Sequence, residues 1–133
     1  RYFEEAVPNP PLMGSTPLEK AIIEMWNRRI ELGLFQAITN VFRHLHPKMA
    51  HLEIPQIKEW GEANRPKVFE HLKILEEHLK KTPFISGKEF SVADITAFIA
   101  ISFIKPAKIE LPIEFHNLQN WYQKINSRSS ASA

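Results

Sequence analysis

The chain is 133 residues long and 44% hydrophobic, enough for one domain with a real core. Its 17 basic residues against 15 acidic ones leave a formal charge of only +2, and no Lys/Arg cluster interleaves with aromatics, which argues against a nucleic-acid partner. There is no cysteine, so disulfides, thiol catalysis and cysteine metal sites are excluded within these residues, as suits a reducing, cytoplasmic setting.

Arg1 to Ala6 is amphipathic but uncapped and reads as the last turn or two of a helix that begins upstream; because the chain opens on Arg1 without a methionine, a targeting segment before it stays open. Val7-Pro8-Asn9-Pro10-Pro11-Leu12-Met13-Gly14 follows, and its prolines remove amide donors and hold their neighbours extended. That is an interdomain linker or, on the plainer reading, a disordered tail. Residues 1–15 are therefore assigned to the end of an upstream domain and its linker, 16–127 to a helical domain and 128–133 to a tail.

Thr16-Pro17-Leu18-Glu19 supplies a cap, a proline at the first helical position and a glutamate three residues on, a strong helix start. Leu18, Ile22, Met25, Ile30, Leu34, Ile38, Val41 and Leu45 continue at three-to-five-residue intervals up to Pro47, which predicts a rod of about 29 residues and on the order of 43 Å. A rod of that length outreaches one small bundle. Its end near Trp26, Arg28 and Arg29 is expected to face a partner domain or subunit.

Beyond a loop from His46 to Pro55, Leu72, Leu75 and Leu79 share one face of a helix from about Gln56 to Lys81, with Glu76/Lys80 and Glu77/Lys81 as solvent pairs. Pro66 inside it removes one backbone bond and predicts a kink or break near Asn64 and Arg65. His71 and His78 on the same helix read as half-exposed, and Trp26, Trp60 and Trp121 as core or interface anchors.

Gly87 then ends a turn, and Ser91 and Asp94 have the spacing of a capping box, with Phe90 and Ile95 placed as a hydrophobic staple. From Ile95 to Ile104 the chain is apolar nearly all round, as in a helix enclosed by others. The apolar run of 92–104 is about thirteen residues, short of the roughly twenty that cross a bilayer. Leu118, Trp121 and Ile125 mark a last helix from about Asn117 to Asn126, and no run alternates as a strand does, so the chain is expected to be all-α.

Taken together, Tyr2-Phe3, Pro8 to Gly14, Met25-Trp26-Asn27-Arg28-Arg29-Ile30-Glu31, Pro83-Phe84-Ile85-Ser86-Gly87, Phe90-Ser91-Val92-Ala93-Asp94-Ile95 and Asn117-Leu118 to Trp121-Tyr122 resemble the C-terminal helical domain of a cytosolic glutathione S-transferase of bacterial type. The resemblance covers essentially the whole chain. It implies an orthogonal bundle of about four to five helices around a central buried helix at about 91–104. It also implies a thioredoxin-like domain before Arg1, which in relatives binds glutathione and carries the residue that activates its thiol. No catalytic residue and no cofactor is thus assigned to this chain; glutathione is the co-substrate of the full-length protein.

What the resemblance gives this domain is the wall of the pocket for a small electrophile, carried by Phe35, Thr39, Phe42 and Arg43, with Phe103 or Lys105 approaching from the next helix. Phe35 and Phe42 read equally well as core packing. Trp26, Arg28 and Arg29 fall where relatives form a homodimer contact; their guanidinium groups suit a glutathione carboxylate, although an ion pair of Arg28 or Arg29 with Glu24 or Glu31 is the simpler reading. A non-catalytic, transferase-like assembly module is the competing expectation.

Two further constellations carry no function. His44, His46 and His51 would suit zinc or copper by donor type, but their spacing is loose, no carboxylate completes a set, and a helix C-terminus favours histidine through its dipole alone. Ser91 and Asp94 are committed to capping, and no glycine-flanked serine on a sharp turn presents a nucleophile.

Overall fold

The structure, a computed structural model, describes residues 1–131; positions 132–133 of the expected tail lie outside it. Among the described residues six α-helices form and no strand: α1 (Tyr2–Ala6), α2 (Pro17–Arg29), α3 (Gln36–Leu45), α4 (Lys58–Leu79), α5 (Val92–Ser102) and α6 (His116–Asn126). A lone antiparallel bridge joins Phe84 to Gly87. The all-α expectation holds. No helix among the described residues is long and apolar enough to cross a membrane.

The proline-rich segment is pinned at its far end, at Leu12 and Met13. Glu4 on α1 accepts from the Leu12 and Met13 amides at 3.2 and 2.7 Å, and the Leu12 carbonyl takes the Val92 amide at 3.0 Å. Thr16 and Glu19 close the expected capping box, and the Thr16 and Ser15 backbone amides lower the Glu19 pKa by bonding its carboxylate.

The expected rod exists, with α2 running into α3 through a π-helical segment, Ile30–Phe35. Trp26, Ile30, Leu34 and Ile38 are all buried and recur every four residues, a spacing that overshoots an α-turn by about 40° per step. The wider π-turn takes up that drift and keeps all four side chains on the core. Gly33 lets the segment lie close against α4, since a Cβ there would run into the His71 ring. Leu18 and Met25, expected in the core, are exposed; Ile23 and Trp26 take their place. The first half of the rod carries two apolar stripes, and residue type alone does not say which one is covered.

α4 runs unbroken from Lys58 to Leu79, so the break expected at Pro66 does not occur. Pro66 lies on the exposed side, where water can satisfy the freed carbonyl. Two residues earlier the buried Asn64 bonds the Trp60 carbonyl at 2.7 Å and accepts from Asn40 of α3 at 3.3 Å. The helix starts two residues later than expected because Gln56 is used elsewhere: its amide donates to the Arg43 and His46 carbonyls at 2.7 and 3.0 Å, closing the end of α3.

α5 packs against α2, the π-segment and α6. At its start the Asp94 carboxylate, with no exposure to solvent, accepts four bonds: from the Ser91 amide (3.0 Å), the Ser91 hydroxyl (3.2 Å), the Ile85 amide (2.9 Å) and Trp121 Nε1 (2.9 Å). Ser91 and Asp94 do pair as a capping box, but the Asp94 amide bonds the Ser91 carbonyl at 3.1 Å, so the carboxylate carries most of the cap. Phe90 meets the Phe84 ring edge-on and carries Arg128 on its face at 3.9 Å, while Ile95 is half-buried. The expectation that α5 is enclosed all round needs correction, because Ile99 and Phe103 are 44% and 41% exposed and leave one edge open.

Glu76 is not the solvent partner of Lys80 that the spacing suggests; Lys80 pairs with Glu77 at 2.6 Å. Glu76 is buried, and its carboxylate accepts from the Leu118 amide at 2.9 Å, from Asn117 Nδ2 at 2.7 Å and, more weakly, from the Asn117 amide at 3.4 Å, capping α6 from α4. Burial alone raises a carboxyl pKa, but here those bonds and the Lys80 charge outweigh it and bring Glu76 below its ordinary value.

Two outcomes follow for urea unfolding. Asp94→Ala should cost about 3 kcal/mol or more, because each buried donor it orphans costs about 1–3 kcal/mol, and adding Ser91→Ala should cost much less than Ser91→Ala alone; fully additive losses would show that the two do not act as one unit. Glu76, lowered in the folded state, stabilises above its unfolded value of about 4.5 and loses that contribution as the pH falls through the folded value. The stability gap between Glu76→Gln and the parent should therefore be open at neutral pH and close in acid, and a gap that ignores pH would refute the assignment.

Candidate functional site

The open edge of α5 borders a groove of about 400 Å³ lined by Asn27, Arg28, Glu31, Phe35, Thr96 and Ile99. α2 supplies Asn27 and Arg28, the π-segment Glu31 and Phe35, and α5 the remaining two. The two sides are tied by the Thr96 hydroxyl, which donates to Asn27 Oδ1 at 2.6 Å. Phe35 sits edge-on to Phe103 with centroids 5.6 Å apart. Arg28 is clamped between Glu24 (2.9 Å) and Glu31 (2.6 Å), and these carboxylates raise its pKa, Glu24 most.

One groove thus joins Arg28, expected at a subunit contact, with Phe35, expected at an electrophile wall. The other wall candidates lie along the rod. Thr39 donates its hydroxyl to the Phe35 carbonyl at 2.6 Å. Arg43 is half-exposed and bonded to Glu53 at 2.6 Å. Phe42 lies against His46, with centroids 4.9 Å apart, and lines a second cavity of about 440 Å³ together with residues of α4 and of the turn after α5. Lys105 lines neither space.

Trp26 is a core residue, only 7% exposed, with its ring against His78 at 4.3 Å and Arg29 over it at 5.3 Å. Trp60 is 45% exposed beneath Lys67, whereas Trp121 is buried on Asp94. In the histidine group, His44 Nδ1 accepts the Ile57 amide at 3.1 Å and His46 Nδ1 the Lys48 amide at 3.2 Å, so those nitrogens are engaged in backbone bonds. Among the described residues no group of three or more His, Asp or Glu side chains is placed to hold a metal ion.

The family model described as "Glutathione S-transferase, C-terminal domain" matches residues 34–129. The chain belongs to that family. It is 35% identical over 130 residues to a Saccharomyces cerevisiae protein named Glutathione S-transferase 2, a match that covers 97% of this chain and 56% of the relative's length. The crystal structure of Gtt2 from the same yeast superposes with a TM-score of 0.93 at 34% identity, over 98% of this chain and 64% of that one. A class Gtt2 glutathione S-transferase of Vibrio parahaemolyticus superposes at 0.86 with 30% identity, over all of this chain and 62% of its own.

With the transferase fold in place, the residues that the sequence did not single out in the groove are Thr96 and Ile99. Their partners across the groove are supplied by a helix that folds back from far along the chain, so no local spacing marks them. His71, also outside the sequence expectations for a site, lies half-buried against the π-segment at Gly33. Its imidazole pKa is lowered, first by burial and then by the nearby Arg29 charge, with Glu70 acting weakly in the opposite sense. Arg29→Gln should accordingly move the His71 titration upward in an NMR pH series while leaving it below that of an exposed histidine; an unmoved titration would mean that the Arg29 charge does not reach the ring.

Proposed function

We propose that this chain is the helical half of a cytoplasmic glutathione transferase, and that a thioredoxin-like domain preceding Arg1 binds glutathione and activates its thiol. The observation that carries the reading is the open edge of α5. A helix with this much apolar surface, tied into the core at its start by Asp94, leaves Ile99 and Phe103 exposed beside Phe35, which is what a wall facing a second domain requires. Phe35 and Phe103 form the apolar wall for a small electrophile, Thr39 and Phe42 extend it along the rod, and Arg43 marks its rim.

The same reading assigns a homodimer contact to the outer face of α2. Leu18, Met25 and Leu32 recur every seven residues there and are 70%, 47% and 67% exposed. Arg28 and Arg29 flank that stripe, and Arg28 is held by Glu24 and Glu31 in a fixed orientation that suits a carboxylate of glutathione bound to the neighbouring subunit. Trp26 supports the face from beneath.

The test is steady-state kinetics on the full-length protein with glutathione and 1-chloro-2,4-dinitrobenzene. Phe35→Ala should raise KM for the electrophile about ten-fold and leave KM for glutathione unchanged, as expected for loss of an apolar wall. The 1–133 chain alone should show no thiol-dependent turnover. A full-length protein that neither binds glutathione nor conjugates an electrophile, yet dimerises through α2, would replace the enzyme reading with that of an assembly module.

A further inference from the structure

We infer that the loop between α3 and α4, with the first turn of α4, is a docking surface for a membrane rich in anionic lipid, entered only to the depth of the headgroups. The inference does not rest on the transferase reading, which places its apolar wall and its subunit contact on the rod and on α5.

The loop is built inside out. Its polar side chains turn to the rod: Gln56 donates to the Arg43 and His46 carbonyls at 2.7 and 3.0 Å, and Glu53 pairs with Arg43 at 2.6 Å. The Ile57 amide is held there as well, by His44 Nδ1 at 3.1 Å. The apolar side chains are left outside. Leu52 and Ile54 are 62% and 79% exposed, and Ile57 and Trp60, around the start of α4, nearly half. One exposed leucine is ordinary surface, but four large apolar side chains within nine residues make a patch of the kind that marks an interaction site. Rolling the loop over would cover Ile54 only by stripping the last carbonyls of α3 of the Gln56 donor, so the exposure is fixed by the hydrogen bonds beneath it.

Charge selects the partner. Lys48 precedes the loop, Lys58 opens α4 and Lys67 follows two turns after Trp60, with its Nζ over the indole ring at 4.8 Å. None of the three pairs with a carboxylate among the described residues. Glu53 is held by Arg43 and Glu62 by Arg65, so from residue 47 to 67 only Glu59, among the described residues, stands outside an ion pair. The stretch therefore keeps an excess of positive charge beside its apolar side chains. Protein interfaces are depleted in lysine and enriched in arginine. Unpaired lysines beside a tryptophan instead match a headgroup layer, where the ammonium groups reach the phosphates while the lysine stems and the indole lie against the acyl boundary.

The test is flotation of the full-length protein with vesicles of mixed phosphatidylcholine and phosphatidylserine, against vesicles of phosphatidylcholine alone. Binding should require phosphatidylserine and fall as salt is raised. Lys58→Gln and Lys67→Gln should each weaken it about five-fold, the worth of one lysine at an anionic surface, and Trp60→Ala by about ten-fold or more, the worth of one large apolar side chain. Ile54→Asn, at the most exposed of the four apolar positions, reads the same loss should a Trp60 variant fail to fold. Lipid brominated near the headgroup should quench the tryptophan fluorescence of the parent, and Trp60→Phe should remove that quenching, since Trp26 and Trp121 are buried. Absence of vesicle binding, equal binding to both vesicles, variants of unchanged affinity, or quenching that survives Trp60→Phe would each overturn the inference. Variants that lose self-association while vesicle binding is absent would overturn it in favour of a protein interface.

Discussion

A carboxylate removed from water needs donors to replace its hydration, and Asp94 meets that requirement with groups drawn from three separate parts of the chain. Ser91 belongs to its own helix start, Ile85 to the turn before it and Trp121 to the final helix. One residue therefore fixes where α5 begins, how the 84–87 turn enters it and where α6 crosses. The Val92 amide adds the linker by bonding Leu12, so the same helix start also aims the segment that leads toward α1. The rest of the fold is arranged about a point whose position is set by hydrogen bonds, with apolar packing filling in around it.

Glu76 repeats the device on a smaller scale. It reaches from α4 to the first turn of α6, where exposed amides and the helix dipole favour a negative charge. α6 is consequently held at its start by one buried acid and, one turn on, by a second through Trp121. Two carboxylates separated along the chain thus position a helix that has little apolar surface of its own. This placement determines which edge of α5 is covered and which stays open, and the open edge is the one that carries the groove.

The sequence made the local parts of this arrangement readable. The Thr16 cap, the continuous rod to Pro47, the Ser91/Asp94 box and the last helix all depend on residues within a few positions of each other, where spacing is a reliable guide. What it hid was long-range. The bond from Thr96 to Asn27 spans 69 positions and that from Leu118 to Glu76 spans 42, so Glu76 looked like half of a surface pair and nothing marked Thr96 in its apolar helix. Leu18 and Met25 misled for another reason: α2 has two apolar stripes, and only the presence of α5 on one side tells them apart. In the groove, Arg28 and Phe35 were legible as residue types on a helix, whereas the wall opposite them was not.

The π-segment in the middle of the rod has a consequence for the relation between its two ends. Arg28 stands just before the segment, Phe35 closes it and Phe42 follows after two more turns. Because the segment fits one extra residue into its wider turns, winding the same residues as an ordinary α-helix would swing everything beyond it through about 100°. The length would barely change, but Phe35, Thr39 and Phe42 would face different neighbours. The rod is in effect an angular setting, with Gly33 and the His71 ring as its stop, and the chemistry that the far half can present to a ligand is decided by a residue count in its middle.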